Sequence, residues 1–424
     1  MKIRFYNARI LSMNGNMDIT PDSELWVFDD RISYIGKIKN DSDIIWDRQI
    51  DVKGNLLMPG FKDAHTHSGM TFLRSMADDL PLDRWLNEQI FPREAKLTGE
   101  DIKMCTMLAI MEYLSSGITA IFDMYLTPET IDEACIAGGM RCVQVGGMNN
   151  FSQSLKEQEE WYKKINAGNP LTSYMFGYHA EYTCSKELLM GLSDLAHKYS
   201  APVFGHNSET ASEVRGCIER YKMTPTQLAD SLGLFDNGGG GYHCVFLSDE
   251  DIAIFRERGL SIVLNPGSNT KLASGIADIR RYLDEGIDLA IGTDGPASNN
   301  CLDMFREMFL VTGLSKLKEE DASVVDANDV LIMATKGGAK AMGLSDCDCL
   351  KEGKKADIIM IDLMSPNMQP LNNITKNIVY SGSKINVKMT MIDGVIRYED
   401  REYNIGIEPE AVYSYVGDLA DRLR

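Results

Sequence analysis

The sequence predicts an α/β protein: a (β/α)8 TIM barrel with a small β-sandwich built from both chain termini. Three observations lead there. Between residues 56 and 345, strand-like runs alternate with helical patterns eight times, over a length close to the ~250 residues of a barrel. Both flanks hold short alternating runs with turn residues, and neither could bury much core alone. Five of the six histidines, and Asp294 with them, stand at the ends of strand-like runs, the rim where such barrels keep their chemistry. A doubly wound sheet would bind at one crevice where strand order reverses. It would not gather side chains from the first, fourth, fifth, sixth and eighth strands.

Taken in order, residues 1–55 form the N-terminal part of the sandwich. Residues 1–6 alternate like a strand, and residues 25–28 run into the turn Asp29-Asp30. Residues 56–350 form the barrel, with strands expected at 56–67, 118–125, 141–148, 172–181, 202–209, 240–247, 260–269 and 287–296. The helices between them carry start and stop signals. Thr127-Pro128 places a capping residue before a proline at the first helical position. Ser185 and Ser248 precede helical runs, the second opening with acidic residues 249–251 that suit a helix N-terminus. Gly259 and Gly286 fall where helices should end. Gly238-Gly239-Gly240-Gly241 reads as a permissive turn before the sixth strand. Residues 351–424 complete the sandwich with runs at 356–361 and 387–392, a hairpin turn at Asp393-Gly394, and a helical tail from residue 409.

Composition narrows the function. A net charge of −19 argues against a nucleic-acid or anionic-membrane surface and suits a neutral or cationic small molecule. Nine cysteines without a Cys-x-x-Cys pair read as reduced thiols. Residues 1–6 lack a signal peptide's apolar core, and no run approaches the ~20 apolar residues of a membrane span. A soluble cytoplasmic protein is expected.

The chemistry rests on His65-Thr66-His67, His206, His243 and Asp294. Side chains two apart on a strand point to the same side, so His65 and His67 can share one ion. A divalent transition metal takes neutral imidazoles and a carboxylate and keeps one position open for water. His65, His67, His206 and Asp294 are assigned as ligands. Glu209, three residues past His206, is placed to carry a proton, and His243 to steady a developing tetrahedral oxygen. Taken singly, Glu209 also fits a first-turn helix acid and His243 a packed strand-end histidine.

The motifs Pro59-Gly60-Phe61, Ala64-His65-Thr66-His67, Gly205-His206-x-x-Glu209, Tyr242-His243-Cys244 and Gly292-Thr293-Asp294-Gly295 resemble the amidohydrolase superfamily. More narrowly, residues 70–82, Trp85-Leu86, Phe91-Pro92-x-Glu94 and Pro296-Ala297-Ser298-Asn299-Asn300 resemble 5-methylthioadenosine/S-adenosylhomocysteine deaminases and their chlorohydrolase relatives, across essentially the whole chain. The resemblance implies one divalent ion, zinc with iron as the alternative, held by the four ligands named. It implies that Glu94 contacts ribose hydroxyls and His179 the purine, and by analogy that the protein forms homo-oligomers. Without the resemblance, Glu94 is equally a solvated helix residue and Trp85 equally a core residue; with it, Trp85 would cover the ligand. Members that accept S-adenosylhomocysteine place arginines near the end of the third strand, where this chain reads Val143-Gln144-Val145-Gly146-Gly147-Met148-Asn149-Asn150-Phe151. Arg141 should face the opposite rim. Leu264 stands before Asn265-Pro266 where relatives often carry histidine.

The expected reaction is hydrolytic deamination of an adenine nucleoside of the adenosine, 5′-deoxyadenosine or 5′-methylthioadenosine type. Asp294 takes a proton from water, and Glu209 gives one to the ring nitrogen. Hydrolysis of another amino-substituted heterocycle such as a guanine, pterin or triazine is the nearest rival, and a non-catalytic metal-binding barrel is the rival of another class.

Overall fold

The computed structural model describes residues 1–39, 43–76 and 78–424. Ala77, within the motif at residues 70–82, lies outside the described residues. The chain divides its strands between two sheets, one of eight strands and one of nine.

The eight-stranded sheet is the barrel. Its strands are Phe61–Thr66, Ile118–Asp123, Arg141–Val145, Thr172–Ala180, Val203–Asn207, Gly239–His243, Ser261–Leu264 and Asp288–Ile291. Successive strands pair in parallel in chain order. A parallel bridge from Thr66 to Asp294, with the Asp294 amide donating to the His65 carbonyl at 2.9 Å, brings the last strand to the first. The interior is a packed core of small and large side chains, among them Ala64, Ala120, Phe122, Val143, Phe204, Tyr242 and Val263, as barrel sterics require.

All eight expected strands are present, yet most stop short of their expected C-terminal ends. Where the ladders end the backbone turns into the left-handed region: φ is 52° at Ser208, 69° and 48° at His243 and Cys244, and 58° at Asp294. Hydrophobic period alone could not show where pairing ceased. The strand expected at 56–67 is two strands. Leu56–Pro59 pairs parallel to Lys2–Leu11 and antiparallel to Ile358–Ile361, and only from Phe61 does the chain join the barrel. Both segments are fully buried, so no alternation marks the passage between sheets.

Leu56–Pro59 is also the seam that joins the terminal flanks into one nine-stranded mixed sheet. The sheet folds over on one face. The Ile32 amide donates to the Lys354 carbonyl at 2.9 Å and Arg31 bridges to Lys355, so strands far apart in sheet order meet. Between the two halves lies a second core including Phe5, Leu25, Val27, Leu57, Ile358 and Met389. Asp393 and Gly394, with φ of 52° and 75°, make the expected hairpin turn between Val387–Ile392 and Val395–Glu399. The tail helix, Pro409–Leu423, packs on the barrel helix Gly99–Ser115, where Tyr415 and Arg422 donate to Asp101 at 3.0 and 2.7 Å.

Local signals explain most helix boundaries. Ser185 accepts from the Leu188 amide, and Ser248 forms a reciprocal capping box with Asp251. Thr127 precedes a helix that opens at Pro128, but its hydroxyl caps nothing. The four-glycine run is only in part a turn. Gly238 has φ of 83°, whereas Gly240 and Gly241 are strand residues packed so closely against Ser261 and Asn207 that a Cβ would collide. Among the described residues, no helix is long and apolar enough to cross a membrane. All nine cysteines are unpaired.

Arg141 opens the third strand at the opposite rim. It donates to Asp357 at 2.7 and 2.9 Å and to Asp393 at 3.2 Å, tying the barrel to the terminal sheet.

Candidate metal and catalytic site

Five side chains converge where the barrel strands end. His65 and His67 stand two apart at the end of the first strand, their rings edge to face with centroids 4.8 Å apart. His206 comes from the fifth strand, His243 closes the sixth, and Asp294 lies just past the eighth. The donor atoms of His65, His206, His243 and Asp294 all lie within 4.8 Å of one another. His67 joins them through Asp294, with Nε2 3.1 Å from Oδ1. The sequence reading gave His243 the task of steadying a developing tetrahedral oxygen; here its donor nitrogen also belongs to the compact four-donor group.

The outer nitrogens are tied down. His67 Nδ1 donates to the Met124 carbonyl at 2.5 Å, His206 Nδ1 to the His179 carbonyl at 2.6 Å, and His243 Nδ1 to Asn269 Oδ1 at 2.7 Å. A ring that donates through Nδ1 keeps its Nε2 lone pair for the centre. His65 Nδ1 has no such partner, but its Nε2 stands only 3.1 Å from His206 Nε2; neutral imidazoles and one carboxylate are the donor set of a divalent transition metal. The residues therefore fit the ion that the resemblance implies. Burial pushes His65 down to about 3 and His206 well below the usual imidazole value, which keeps both rings neutral. His67 differs: burial lowers it, but neighbouring Asp294 more than reverses this, to about 9. Cation binding there must displace a proton.

Asp294 is held from several sides. Its Oδ2 accepts the Ser298 hydroxyl at 2.7 Å, and Asp63 accepts from the Thr293 amide and hydroxyl at 2.8 and 2.6 Å. Glu209 is buried; its Oε1 accepts from Ser274 at 3.2 Å and its Oε2 lies 3.9 Å from His243 Nε2. Burial raises its pKa above the ordinary carboxylate value. Glu213 fixes the turn by accepting from the Glu209 and Ser208 amides at 2.8 and 3.1 Å.

These groups floor a cavity of about 460 Å³, within the range of small-molecule sites. Every expected site residue except His65 lines it: His67, His206, Glu209, His243 and Asp294 below, with Trp85, Glu94 and His179 on the walls. His65 is fully buried, stacked 3.8 Å from Tyr242. Glu94 is no solvated helix residue. It is 7% exposed, and its Oε1 makes no hydrogen bond of good geometry; the Tyr125 hydroxyl is its polar neighbour, and the Trp85 indole nitrogen has no partner. Burial lifts the Glu94 carboxyl to about 7. His179 is pushed down to about 4 by burial, and its Nδ1 lies 3.2 Å from the Thr183 hydroxyl. His197, half-exposed on its helix, pairs with Asp236 away from the site.

Sequence reasoning missed the supporting residues. Glu213 was findable, since Thr210-x-x-Glu213 is a capping-box pattern. Ser274 and Asn269 carried no signal, because each matters only through a partner remote in sequence.

A family model described as amidohydrolase family matches residues 56–397. A 5-methylthioadenosine/S-adenosylhomocysteine deaminase of Dictyoglomus thermophilum is 39% identical over 372 residues, covering 86% of this chain and 87% of the relative. Another of that name, from Caldanaerobacter subterraneus subsp. tengcongensis, is 37% identical over 100% of this chain and 99% of its own. Among solved structures, an adenosine deaminase of Xanthomonas campestris with bound zinc superposes with a TM-score of 0.94 at 31% identity, covering 100% of this chain and 98% of that one.

Proposed function

The chain belongs to the amidohydrolase family, and from that premise we propose that it is a hydrolytic deaminase of adenine nucleosides, releasing ammonia and the corresponding inosine. The observation that carries the reading is one cavity with two ends. A His/Asp donor cluster with a buried glutamate floors it, and the buried Glu94 carboxyl stands on its wall beside Tyr125. Similarity to deaminases at 37–39% identity over most of the chain supports the same reaction.

His65, His67, His206 and Asp294 would hold a divalent ion, zinc by analogy with the Xanthomonas enzyme. When bound, the ion supplies Lewis acidity that makes water a nucleophile near neutral pH. Asp294 accepts the proton that water gives up, with the Ser298 hydroxyl steadying its second oxygen. Glu209, whose protonated form burial favours, delivers a proton to the ring nitrogen beside the attacked carbon, so charge does not build on the purine. His243, oriented by Asn269, faces the oxygen that develops at that carbon; as the C–N bond breaks, the proton taken up by Asp294 passes to the departing amine, which leaves as ammonia. His179 meets the purine, and Glu94 accepts from the ribose hydroxyls, satisfying an oxygen that otherwise makes no hydrogen bond of good geometry. Trp85 covers the nucleoside from its wall of the cavity.

The test is a panel of adenosine, 5′-deoxyadenosine, 5′-methylthioadenosine and free adenine, guanine and a triazine, on protein of measured metal content. Loss of adenine absorbance with one ammonia per nucleoside is expected. Ammonia from the free bases alone would overturn the nucleoside reading, and fully metallated protein inert toward the whole panel would favour a binding barrel.

A further inference from the structure

Resting on the adenine-nucleoside reading, we propose that Lys271 is a positioning residue of the reaction. Its ammonium locks the segment that binds the nucleoside to the loops that hold the reacting groups.

Three loops cover the strand ends, and each leads to a different part of the site. The segment after the first barrel strand leads into the helical turns from Leu82 to Glu94, which place Leu82, Trp85, Phe91 and Glu94 on the cavity wall. The loop after the seventh strand supplies Asn269, which holds His243, and Ser274, which holds Glu209. The loop after the eighth carries Asp294 and Ser298, whose hydroxyl donates to Asp294 Oδ2.

Lys271 stands where the three meet. Its Nζ donates to Asp78 Oδ1 in the first loop at 2.5 Å, to the Ala297 carbonyl in the eighth at 2.9 Å, and to Asn300 Oδ1. An ammonium has three N–H groups, and here each finds an acceptor. Asn300 extends the node, donating to Ser75 Oγ at 3.0 Å and to Asp78 Oδ2 at 3.4 Å. The Lys271 side chain is only 20% exposed, which sets it apart from open surface ion pairs that contribute little.

Neither Lys271 nor Asp78 lines the cavity, so the node acts through its neighbours in the chain. Leu272 follows Lys271 and Ser298 follows Ala297, and both line the cavity. The backbone around the node is held in an unusual state. Ser75, Asp79, Ala273 and Asn300 have φ of 58°, 60°, 55° and 71°. Left-handed backbone at residues other than glycine persists where its surroundings fix it. It occurs in all three loops, and the ammonium is the contact they share. Joining the nucleoside-binding wall to the reacting groups keeps both in one geometry, on which the rate depends steeply.

The test uses the full-length, metal-loaded protein with adenosine and 5′-methylthioadenosine as substrates. Asp78→Ala, at a side chain 31% exposed and so compatible with folding, frees the first loop alone. It should raise KM by about tenfold with kcat within about threefold of wild type, the pattern of lost ground-state binding. Lys271→Met frees all three loops and should also lower kcat by about tenfold, with metal content unchanged. The double variant should match Lys271→Met within about twofold, because both changes break one network. Hydrogen exchange followed by mass spectrometry needs no turnover. The peptide at residues 82–94 should exchange about tenfold faster in both single variants, while strands Val203–Asn207 and Gly239–His243 keep wild-type protection. Wild-type KM and wild-type exchange in Asp78→Ala, or fully multiplicative losses in the double variant, would overturn this inference and leave the deaminase reading intact. Wild-type protein inert toward every adenine nucleoside would instead bring down the substrate reading; faster exchange at residues 82–94 would then still support the tie, and unchanged exchange would refute it.

Discussion

At one rim of the barrel, Arg141 is almost wholly buried and gives its guanidinium to Asp357 and Asp393. At the other, Glu94 is buried to a similar degree and leaves Oε1 without a hydrogen bond of good geometry. The lower rim also buries Lys62, whose ammonium donates to the Gly60 carbonyl and the Thr119 hydroxyl at 3.1 and 2.7 Å. Charge there is hydrogen-bonded, and the Arg141 pair joins the barrel, built from the middle of the chain, to the sheet built from both its ends. Charge at the upper rim is crowded, unpaired, or held by backbone in the left-handed region. Such arrangements cost stability and persist where a ligand completes them. The contrast separates what holds the protein together from what acts.

Breaking the upper rim should affect chemistry far more than folding. Removing the divalent ion with a chelator should reduce ammonia release to background, and adding zinc back should restore it; full activity in metal-free protein would remove the cluster from the reaction. Glu209→Gln should lower kcat by about 10³-fold while metal content is unchanged, as expected for loss of a general acid–base group. Metal analysis alongside single-turnover rates checks both halves.

Breaking the lower rim should do the reverse. Arg141→Met strands the buried Asp357 carboxylate, so it should cost about 3–5 kcal/mol of stability in denaturant melts. The kcat/KM of the remaining folded protein should stay within about twofold of wild type, since Arg141 touches nothing in the cavity. A wild-type melting curve would show that the pair does not join the two sheets.

Smaller effects sharpen the comparison. Glu94→Gln should raise KM by about tenfold with little change in kcat, the pattern of lost ground-state binding. Equal losses for adenosine and for a 2′,3′-dideoxy analogue would remove Glu94 from ribose recognition. The smallest effect is on pH. Burial would raise Asp357, but Arg141 more than reverses this and holds it below its ordinary 3.8. A carboxylate depressed in the folded state adds stability at pH above the unfolded value, and that stability is lost as pH falls from there through the folded value. Asp357→Asn should therefore lose less stability than wild type as pH falls below about 4. An identical pH dependence would contradict this.

The legible part of the molecule was the part written in local pattern. His65-Thr66-His67 shows its geometry in its spacing, and Ser248 with Asp251 shows a helix start. The seam at Leu56–Pro59 was not legible, because a strand buried on both faces reads the same in either sheet. Nor was the burial of Glu94, since a short helix with charged neighbours carries no sign of the cavity above it. The support of Glu209 by Ser274, 65 residues away, lies beyond any sequence window.

By itself the sequence determined the alternation of strands and helices, the strand ends that carry imidazoles and carboxylates, and the turn chemistry of both flanks. These follow from side-chain period, backbone preference and residue type, which act over a few residues. The tertiary structure decided that the donor atoms of His243 and His65 stand within 4.8 Å of each other, that the buried Glu94 lines the cavity, and that Phe91 and Phe151 meet on its wall. Those distances depend on how eight strands close and how loops from different strands fold over their ends, and closure is a property of the whole chain.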